Sequence, residues 1–447
     1  MALQLFNTLG RKKENFKPLK KNEVRMYSCG LTVYDYGHIG NYLAFVNSDI
    51  LRRYLEFKGY KVTKIVNITD VDDKTIRGSI REGKSLKEFT RIYEKAFFED
   101  EKKLNIKKAS HYPCATDHIK EMVKLIETLL KKNIAYKTES GIYFNIRTFK
   151  EYGKLSGVRL EKLQKGASAR VIKDEYDKEN VSDFALWKFY TPEDGNVFWN
   201  TSLGKGRPGW HIECSAMSSK YLGQPFDIHT GGIDLVFPHH ENEIAQSEGA
   251  NGKKFANYWL HNEFLMVNGK KMSKSLGNFY TVRDIFALGF NGLDLRYFYM
   301  GGHYRTQLNF TVDNLKNASN SLQRMKNILQ GIKDDKKINK EYLQKFEEAM
   351  DDDLNTPKAL EVVWEFLRDE NAVGKTQTIK KIDRVLGLNL LKKEKISVPA
   401  LVMKLVNERE VARKEKNWGK ADELREKIKE KGFVVSDTGE GVKVSRI

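Results

Sequence analysis

Cysteine is scarce in this sequence. Only Cys29, Cys114 and Cys214 occur among 447 residues, too few for a disulfide framework, and such usage is typical of a reducing compartment. Long apolar runs are missing too, since no stretch approaches the ~18 residues that a membrane span requires. The first residues lack the apolar core and cleavage site of a secretory signal. We therefore expect a soluble, cytoplasmic protein with no membrane partner.

Length, composition and charge limit the possible classes of protein. A chain of 447 residues with 40% hydrophobic and 11% aromatic residues is globular and has two to four domains. Lys and Arg outnumber Asp and Glu by 78 to 60, a net charge of +18. Such a surplus favours a polyanionic partner, because each neutralised phosphate releases counterions. A lysine-rich surface without a partner fits the charge equally well.

The first hundred residues predict a βαβ unit. A strand over Val24–Cys29, an amphipathic helix over Asn41–Gly59 and a strand over Tyr60–Ile68 follow one another. This order predicts a parallel sheet with a right-handed crossover. Ligands of such sheets bind at the carboxyl ends of the strands, where Cys29 and Thr69 fall.

Later segments carry weaker patterns. Sheet-like patterning runs from Gly209 to Thr230, and the sequence is mainly helical after Asn309. A charged helical pattern predicts one long helix over Leu401–Lys431, and a short β-like tail follows from Phe433.

Two short segments suit phosphate chemistry. His38-Ile39-Gly40-Asn41 lies between the first strand and its helix, where a helix N-terminus attracts phosphate and glycine permits close approach. Lys271-Met272-Ser273-Lys274-Ser275 places two lysines three residues apart, which suits a triphosphate that becomes pyrophosphate. Each segment by itself also fits a simpler structure, a turn histidine or a basic surface loop.

Together the two segments resemble the paired signatures of class I aminoacyl-tRNA synthetases. The strings YSCGLTVYDYGHIG, NITDVDDK, DFALWKFY, GKGRPGWHIECSAM and FPHHENEIAQSE resemble the cysteine-specific branch over nearly the whole chain. The resemblance implies ATP-dependent attachment of L-cysteine to tRNA(Cys) through a cysteinyl-adenylate. It also implies Mg²⁺ with the ATP, and we expect a monomer.

A metal site is the second implication. No CxxC pair occurs, and spacing alone leaves open whether the cysteines are buried thiols or ligands. Pro238 is well placed to begin a helix, which would put His239 and Glu243 on one face. By resemblance, Cys29, Cys214, His239 and Glu243 hold one Zn²⁺, and two thiolates with one imidazole and one carboxylate suit zinc. Zinc separates a thiol from a hydroxyl, which shape alone does poorly, so we expect no editing domain.

The resemblance also assigns the remaining site residues. The catalytic set is His38, Asn41, Lys271 and Lys274, and ATP is bound by His38, Gly40, Asn41 and Lys274. The substrate set is Cys29, Gly30, Thr32, Thr69, Trp210 and His229, with Asp234 at the ribose.

Three positions depart from the family pattern. Asn41 stands where the motif usually has a second histidine, and its amide can still donate a hydrogen bond. Thr230 stands at a position that is commonly glycine. Val444 replaces a frequent tryptophan, which removes one stacking contact to the anticodon.

The tail also predicts a phosphate-facing stripe of basic side chains or, alternatively, a solvated helix face. The residues concerned are Arg409, Arg413, Lys416 and Lys420.

The implied fold is α/β, with a Rossmann-like parallel-sheet catalytic domain, a connective insertion, a helical bundle and a small anticodon-binding tail. The predicted boundaries are 1–110 and 201–250 for the two catalytic halves, 111–200 for the insertion, 251–312 for the KMSKS-bearing stem-contact region, 313–390 for the bundle and 391–447 for the tail.

Two other functions fit part of the pattern. A ligase that joins cysteine to an amino sugar would share the zinc site and both phosphate motifs, but it needs neither the basic charge nor the tail. A non-catalytic RNA-binding paralogue would not need the intact KMSKS segment or the four zinc ligands.

Overall fold

The computed structural model describes residues 2–158, 183–273, 277–392, 399–438 and 441–446. Two compact units divide the chain at residues 391 and 392. The helices are α1 (Ile39–Phe57), α2 (Asp73–Arg81), α3 (Leu86–Lys103), α4 (Ile119–Lys131), α5 (Trp210–Leu222), α6 (Glu241–Asn251), α7 (Val282–Ala287), α8 (Gly292–Met300), α9 (Val312–Gln330), α10 (Lys340–Asp351), α11 (Thr356–Arg368), α12 (Lys375–Leu386), α13 (Ala400–Lys414) and α14 (Trp418–Glu430).

The strands are β1 (Gln4–Asn7), β2 (Lys12–Asn15), β3 (Glu23–Ser28), β4 (Lys61–Val66), β5 (Ala135–Lys137), β6 (Gly141–Phe144), β7 (Phe184–Phe189), β8 (Trp199–Thr201), β9 (Gly204–Pro208), β10 (Phe226–Gly232), β11 (Ala256–Asn262), β12 (Leu265–Val267), β13 (Lys270–Lys271), β14 (Leu308–Phe310), β15 (Phe433–Thr438) and β16 (Gly441–Arg446). Short turns of 3₁₀ helix (Ile233–Leu235) and π-helix (Val236–His240) join β10 to α6.

A parallel sheet organises the first unit. Its order is β11-β10-β3-β4, and every neighbouring pair is parallel. The central strands are apolar because helices cover both faces, as is usual for parallel sheets. The predicted βαβ unit, β3-α1-β4, is confirmed, with observed ends within two or three residues of the expected ones.

The remainder of the first unit surrounds this sheet. An antiparallel sheet of order β5-β6-β7-β9-β8 forms between α4 and α5, with its own apolar core against α4. Helices α9 to α12 form a bundle, whose apolar residues join the core of the parallel sheet. The predicted α/β class with a helical bundle is confirmed.

The segment Gly209–Thr230 corrects one sequence prediction. Residues 210–222 form helix α5, and a strand begins only at Phe226. Residues His211 to Ser218 of α5 are all buried. A helix enclosed on every side lacks the apolar stripe by which helices are recognised, so its sequence reads like a buried strand.

The second unit corrects another prediction. The expected single helix over Leu401–Lys431 is two helices, α13 and α14, which pack against each other. Lys416 adopts a left-handed backbone (φ 56°), and the Asn417 side chain then caps α14 by accepting from the Lys420 N–H. The left-handed position is taken by a lysine and not by a glycine, so the charged pattern stays continuous and the break is invisible in it. The expected β tail is the hairpin β15-β16.

Candidate active site

The site lies at the carboxyl ends of the central parallel strands. Strand β3 ends at Ser28 and leads directly into Cys29, while β10 ends at Gly232. Helix α5 brings Cys214, and the π-helical turn with α6 brings His239 and Glu243.

Four of these side chains converge on one point. Ligand atoms of Cys29, Cys214, His239 and Glu243 all lie within 4.8 Å of one another. Cys29 Sγ is 3.8 Å from Cys214 Sγ and 3.5 Å from Glu243 Oε1, and His239 Nε2 is 3.0 Å from the same oxygen. Bonds of about 2.0–2.3 Å around tetrahedral zinc require ligand separations of about 3.3–3.8 Å. Small adjustments of this set therefore accommodate a tetrahedral ion.

The ionisation of the cluster also suits a cation. Burial opposes the charge of Glu243, but His229 and His239 lower its pKa to about 2. Burial likewise opposes ionisation of Cys214, yet its hydrogen bond with Cys29 and the nearby His239 lower its pKa to about 6, while burial raises the pKa of Cys29. A divalent ion is the natural counterpart of this donor set, because metal binding displaces thiol protons.

Histidines support the cluster from behind. His229 Nε2 lies 2.9 Å from Glu243 Oε2, on the carboxylate oxygen opposite His239. His240 Nε2 lies 3.2 Å from Cys29 Sγ, and its Nδ1 is 2.8 Å from His261 Nε2. The His261 Nδ1 in turn is 2.8 Å from the Thr8 hydroxyl. Such partners orient metal ligands and tune their basicity.

A second donor set overlaps the first. Cys29, His229, His240 and Glu243 also have ligand atoms within 4.8 Å. This set offers one thiol where the first offers two. Soft sulfur ligands favour zinc, so the chemistry favours the set with both cysteines.

Sequence reasoning missed His211, His240 and His261. His211 Nδ1 lies 2.8 Å from His239 Nδ1, and the other two form the chain described above. A signal was available, because five of the nine histidines fall between residues 211 and 261. Several histidines in so short a segment favour a shared site over a solvated surface.

The predicted amino-acid pocket adjoins the metal cluster. Trp210 packs on the His239 ring, with centroids 4.3 Å apart. The Thr69 hydroxyl donates to Glu213 Oε2 (3.0 Å) and accepts from the Asn67 amide. The Gly30 N–H donates to Asn67 Oδ1 (2.8 Å). A Cβ on Gly30 would lie 1.6 Å from the Asn67 carbonyl oxygen, so only glycine fits there.

Thr32 pairs with Thr69 by a parallel β-bridge, which places it beside the same pocket. Glu213 and Asn67 did not figure in the sequence prediction. Both are almost fully buried, and burial of a carboxyl group is not visible in a sequence pattern.

The predicted phosphate residues begin helix α1. The Asn41 N–H donates to His38 Nδ1 (3.1 Å), and the His38 N–H donates to Asn41 Oδ1 (3.0 Å). This reciprocal cap occupies the carbonyl oxygen of the Asn41 side chain. A Cβ on Gly40 would lie 3.1 Å from Met272 Cε, so the KMSKS segment approaches the helix start.

Other contacts hold this approach together. The Ile39 N–H donates to the Tyr280 carbonyl (2.9 Å), and the His38 ring packs edge-on against Phe279. Lys271 is exposed, with Nζ 5.2 Å from the Phe264 ring centre. Lys274 lies outside the described residues.

Asp234 is exposed on the 3₁₀ turn that follows β10. Gly231, near the end of β10, packs against His240, and a Cβ there would lie 2.6 Å from His240 Cε1. The end of the strand that leads into this turn is therefore in contact with the histidine chain.

Comparison with known proteins agrees with this geometry. Residues 15–320 match the model of the class I (C) tRNA synthetase catalytic domain, 345–393 the DALR domain, and 397–444 the cysteinyl-tRNA ligase anticodon binding domain. The cysteine–tRNA ligase of Protochlamydia amoebophila is 47% identical over 469 residues, covering 100% of this chain and 98% of the relative. The chain belongs to the cysteine–tRNA ligase family. The corresponding enzyme of Brachyspira hyodysenteriae is also 47% identical, covering 99% of this chain and 98% of its own.

Solved structures with the same fold include a methionyl-tRNA synthetase of Mycobacterium tuberculosis in complex with methionyl-adenylate. It superposes with a TM-score of 0.60 at 14% identity, covering 82% of this chain and 88% of that one. The predicted membership of the class I aminoacyl-tRNA synthetases, in the cysteine–tRNA ligase family, is confirmed.

Among the helices of the described residues, none combines the length and apolar character that crossing a membrane demands.

In the C-terminal unit of this cysteine–tRNA ligase family member, only part of the predicted basic stripe is exposed. Arg409 is 3% exposed and pairs with Glu410 and Asp437. Arg413 pairs with the same Asp437 at 3.2 Å. Arg409 is therefore a structural residue, and the prediction that it faces phosphate is wrong. Lys416 and Lys420 remain exposed.

Proposed function

We propose that the chain activates L-cysteine with ATP, forms cysteinyl-adenylate, and transfers the cysteinyl group to the terminal ribose of tRNA(Cys). The observation that carries the proposal is the set of two thiols, one imidazole and one carboxylate that converge at the carboxyl ends of the parallel strands. Relatives named cysteine–tRNA ligase over their full length support the same reaction.

Cys29, Cys214, His239 and Glu243 would hold one zinc ion. Zinc bound there supplies a Lewis acid that binds the substrate as a thiolate and a serine hydroxyl poorly, which offers about 10⁴-fold selectivity without an editing site. The protein contributes the shape of the pocket. Trp210 on the His239 ring and the Thr69–Glu213 hydrogen bond close it to larger side chains.

The proposed reaction depends on positioning of the reactants and needs no covalent bond to the enzyme. In the first step a carboxylate oxygen of cysteine bonds to the α-phosphorus of ATP, and the bond to the bridging oxygen breaks to release pyrophosphate. In the second step the tRNA ribose hydroxyl bonds to the acyl carbon, and AMP leaves. Mg²⁺ accompanies the ATP. Catalysis of such displacements is mainly alignment and charge stabilisation.

The chain's own residues take the following roles in this proposal. His38 and Asn41 present ring and amide N–H groups to phosphoryl oxygens at the positive end of α1. Gly40 leaves room for the nucleotide, and Asp234 accepts from the ribose hydroxyls. Lys271 and Lys274 stabilise the charge that develops on the departing pyrophosphate.

The thiol pair provides the sharpest test, with Cys114 as the matched control. Cys114 is half-buried and lies outside the cluster. We expect about one zinc per chain in the unsubstituted protein and in Cys114→Ser, and far less in Cys214→Ser, because three of four ligands remain. Cys214→Ser should also lose cysteine activation by at least about 100-fold. Metal analysis and ATP–pyrophosphate exchange measure the two effects.

Charging assays then separate the candidate reactions. Labelled cysteine should appear on tRNA(Cys), whereas serine should not, and an amino-sugar acceptor should not be joined to cysteine. An active protein with zinc content well below one per chain would contradict the metal assignment. Failure to charge any cysteine tRNA would contradict the function.

A further inference from the structure

Three buried hydroxyl groups meet where β3, β10 and α1 converge. Ser28 Oγ is 2.8 Å from Ser48 Oγ and 2.7 Å from Thr230 Oγ1, and the latter two are 3.3 Å apart. The residues are 2%, 4% and 7% exposed, respectively. Each hydroxyl donates one hydrogen bond and accepts others, so a closed ring satisfies all three donors. We call this group the hydroxyl ring.

Each member of the hydroxyl ring stands on an element that carries a different part of the site. Ser28 is the last residue of β3 and precedes Cys29. Thr230 precedes Gly231 and lies four residues before Asp234 on the same strand and turn. Ser48 lies on α1, the helix that begins beside His38. The ring therefore joins the metal ligand, the proposed ribose contact and the proposed phosphate contact.

Packing beside the hydroxyl ring is incomplete. A cavity of about 30 Å³, roughly the room of one or two water molecules, opens between α1 and the ends of β10 and β11. Ser48 and Thr230 line it, and so does Asn47, whose Nδ2 is buried with no hydrogen-bond partner among the described residues. Side chains that face a void lose the dispersion contacts that would otherwise hold them. Hydrogen bonds of the ring therefore join α1 to β10 beside this cavity.

We propose that Ser28, Ser48 and Thr230 are positioning residues that set the distance between the phosphate-binding start of α1 and the ribose-binding turn after β10. The inference rests on the proposed function. ATP spans these two elements, so a shift of α1 misaligns its α-phosphorus with the attacking carboxylate. Alignment errors of about 1 Å reduce such reactions by up to about 100-fold.

Thr230→Val tests the proposal, because valine keeps the shape and removes the hydroxyl. In ATP–pyrophosphate exchange by the full-length protein, we expect kcat to fall at least about tenfold and KM for ATP to rise severalfold. KM for cysteine and the zinc content should stay unchanged. Thr230→Ser, which keeps the hydroxyl, should remain within about twofold of the unsubstituted protein.

Two further variants sharpen the result. Thr90→Val is the matched control, since Thr90 is equally buried and its hydroxyl donates to a helix carbonyl on α3, away from the site. It should leave kcat and both KM values unchanged. Ser48→Ala enlarges the existing cavity and should resemble Thr230→Val. Because one ring acts as a unit, the double variant should be no slower than the slower single variant.

Several outcomes overturn the inference. One is a Thr230→Val protein with kcat and KM for ATP within twofold of the unsubstituted protein. Another is a loss in Thr230→Ser equal to that in Thr230→Val, which would show that removing the methyl group matters as much as removing the hydroxyl. Strictly multiplicative losses in the double variant would also overturn it. If Thr230→Val does not fold, Ser48→Ala decides by the same criteria. Absence of cysteine-dependent exchange in the unsubstituted protein overturns the proposed function and the inference with it.

Discussion

At the scale of single residues, Asn41 departs from the family motif and takes part in the cap of α1. Its carbonyl oxygen caps α1 by accepting from the His38 N–H, and its own N–H donates back to the His38 ring. The cap fixes the ring that we propose binds phosphate. Asn41 is the third residue of a capping box whose N-cap is His38, and its side-chain oxygen satisfies the His38 N–H. The change from histidine therefore holds His38 in place.

Asn41→Ala tests this account. Loss of the cap should destabilise the protein by about 1 kcal/mol and lower kcat for ATP–pyrophosphate exchange about tenfold or more, because His38 is no longer oriented. Thermal melting and steady-state exchange measure the two effects.

Asn355→Ala supplies the control, since Asn355 caps α11 in the helical bundle through its hydrogen bond from the Lys358 N–H. It should melt at a similarly lower temperature with normal exchange. Equal exchange rates in the two variants would rule out a specific role for Asn41.

At the scale of elements, a buried group of charges joins α1 to the helical bundle. Asp49 of α1 accepts from Arg53 Nε (2.6 Å) and from Arg296 Nη2 (2.7 Å) of α8. Arg296 is fully buried and also donates to the Leu386 carbonyl at the end of α12 (2.7 Å). Removing one member of a buried ion pair leaves an uncompensated charge, so this junction holds three elements in register.

The junction predicts a specific dependence on pH. Burial alone would raise the pKa of Asp49, but Arg296 and Arg53 lower it from 3.8 to about 2. Because the pKa is lower in the folded protein, the carboxylate adds about 2 kcal/mol of stability above about pH 4. That contribution disappears as the pH falls through 2.

Asp49→Asn should therefore lower the melting temperature at pH 7 by several degrees, and the difference should shrink between about pH 4 and pH 2. Melting curves across this range measure it, with Asp117→Asn as a control, because Asp117 is an exposed carboxylate of the same unit. A constant difference at all pH values would show that the charge of Asp49 is not responsible.

At the scale of the whole molecule, the net charge of +18 acts on the partner and leaves the fold unaffected. Binding of tRNA should release counterions, so affinity should fall about tenfold or more between 50 and 200 mM salt. Filter binding or fluorescence titration measures this. Exchange of pyrophosphate without tRNA should change little over the same range. Affinity for tRNA that is independent of salt would contradict a phosphate-binding surface.

The sequence by itself determined where the chemistry lies along the chain. Short-range patterns and motifs indicate local structure. They therefore predicted Cys29 at a strand end, His38 before a helix, and His239 and Glu243 as a pair. The sequence also determined the parallel βαβ unit, since apolar strands and an amphipathic helix have clear periods. The β character of the C-terminal tail was predicted for the same reason.

Only the tertiary structure decided the rest, because it depends on contacts between distant residues. Helix α5 is buried on all sides, so its pattern has no period that separates it from a strand. Arg409 pairs with a residue 28 positions away, and the hydroxyl ring joins Ser28 to Thr230 across 202 positions. A local pattern cannot report which side chains meet after the chain has crossed the sheet. The elements that carry the candidate site residues could thus be predicted from the sequence. The buried contacts that hold those residues in place could not, because they form only when the chain folds.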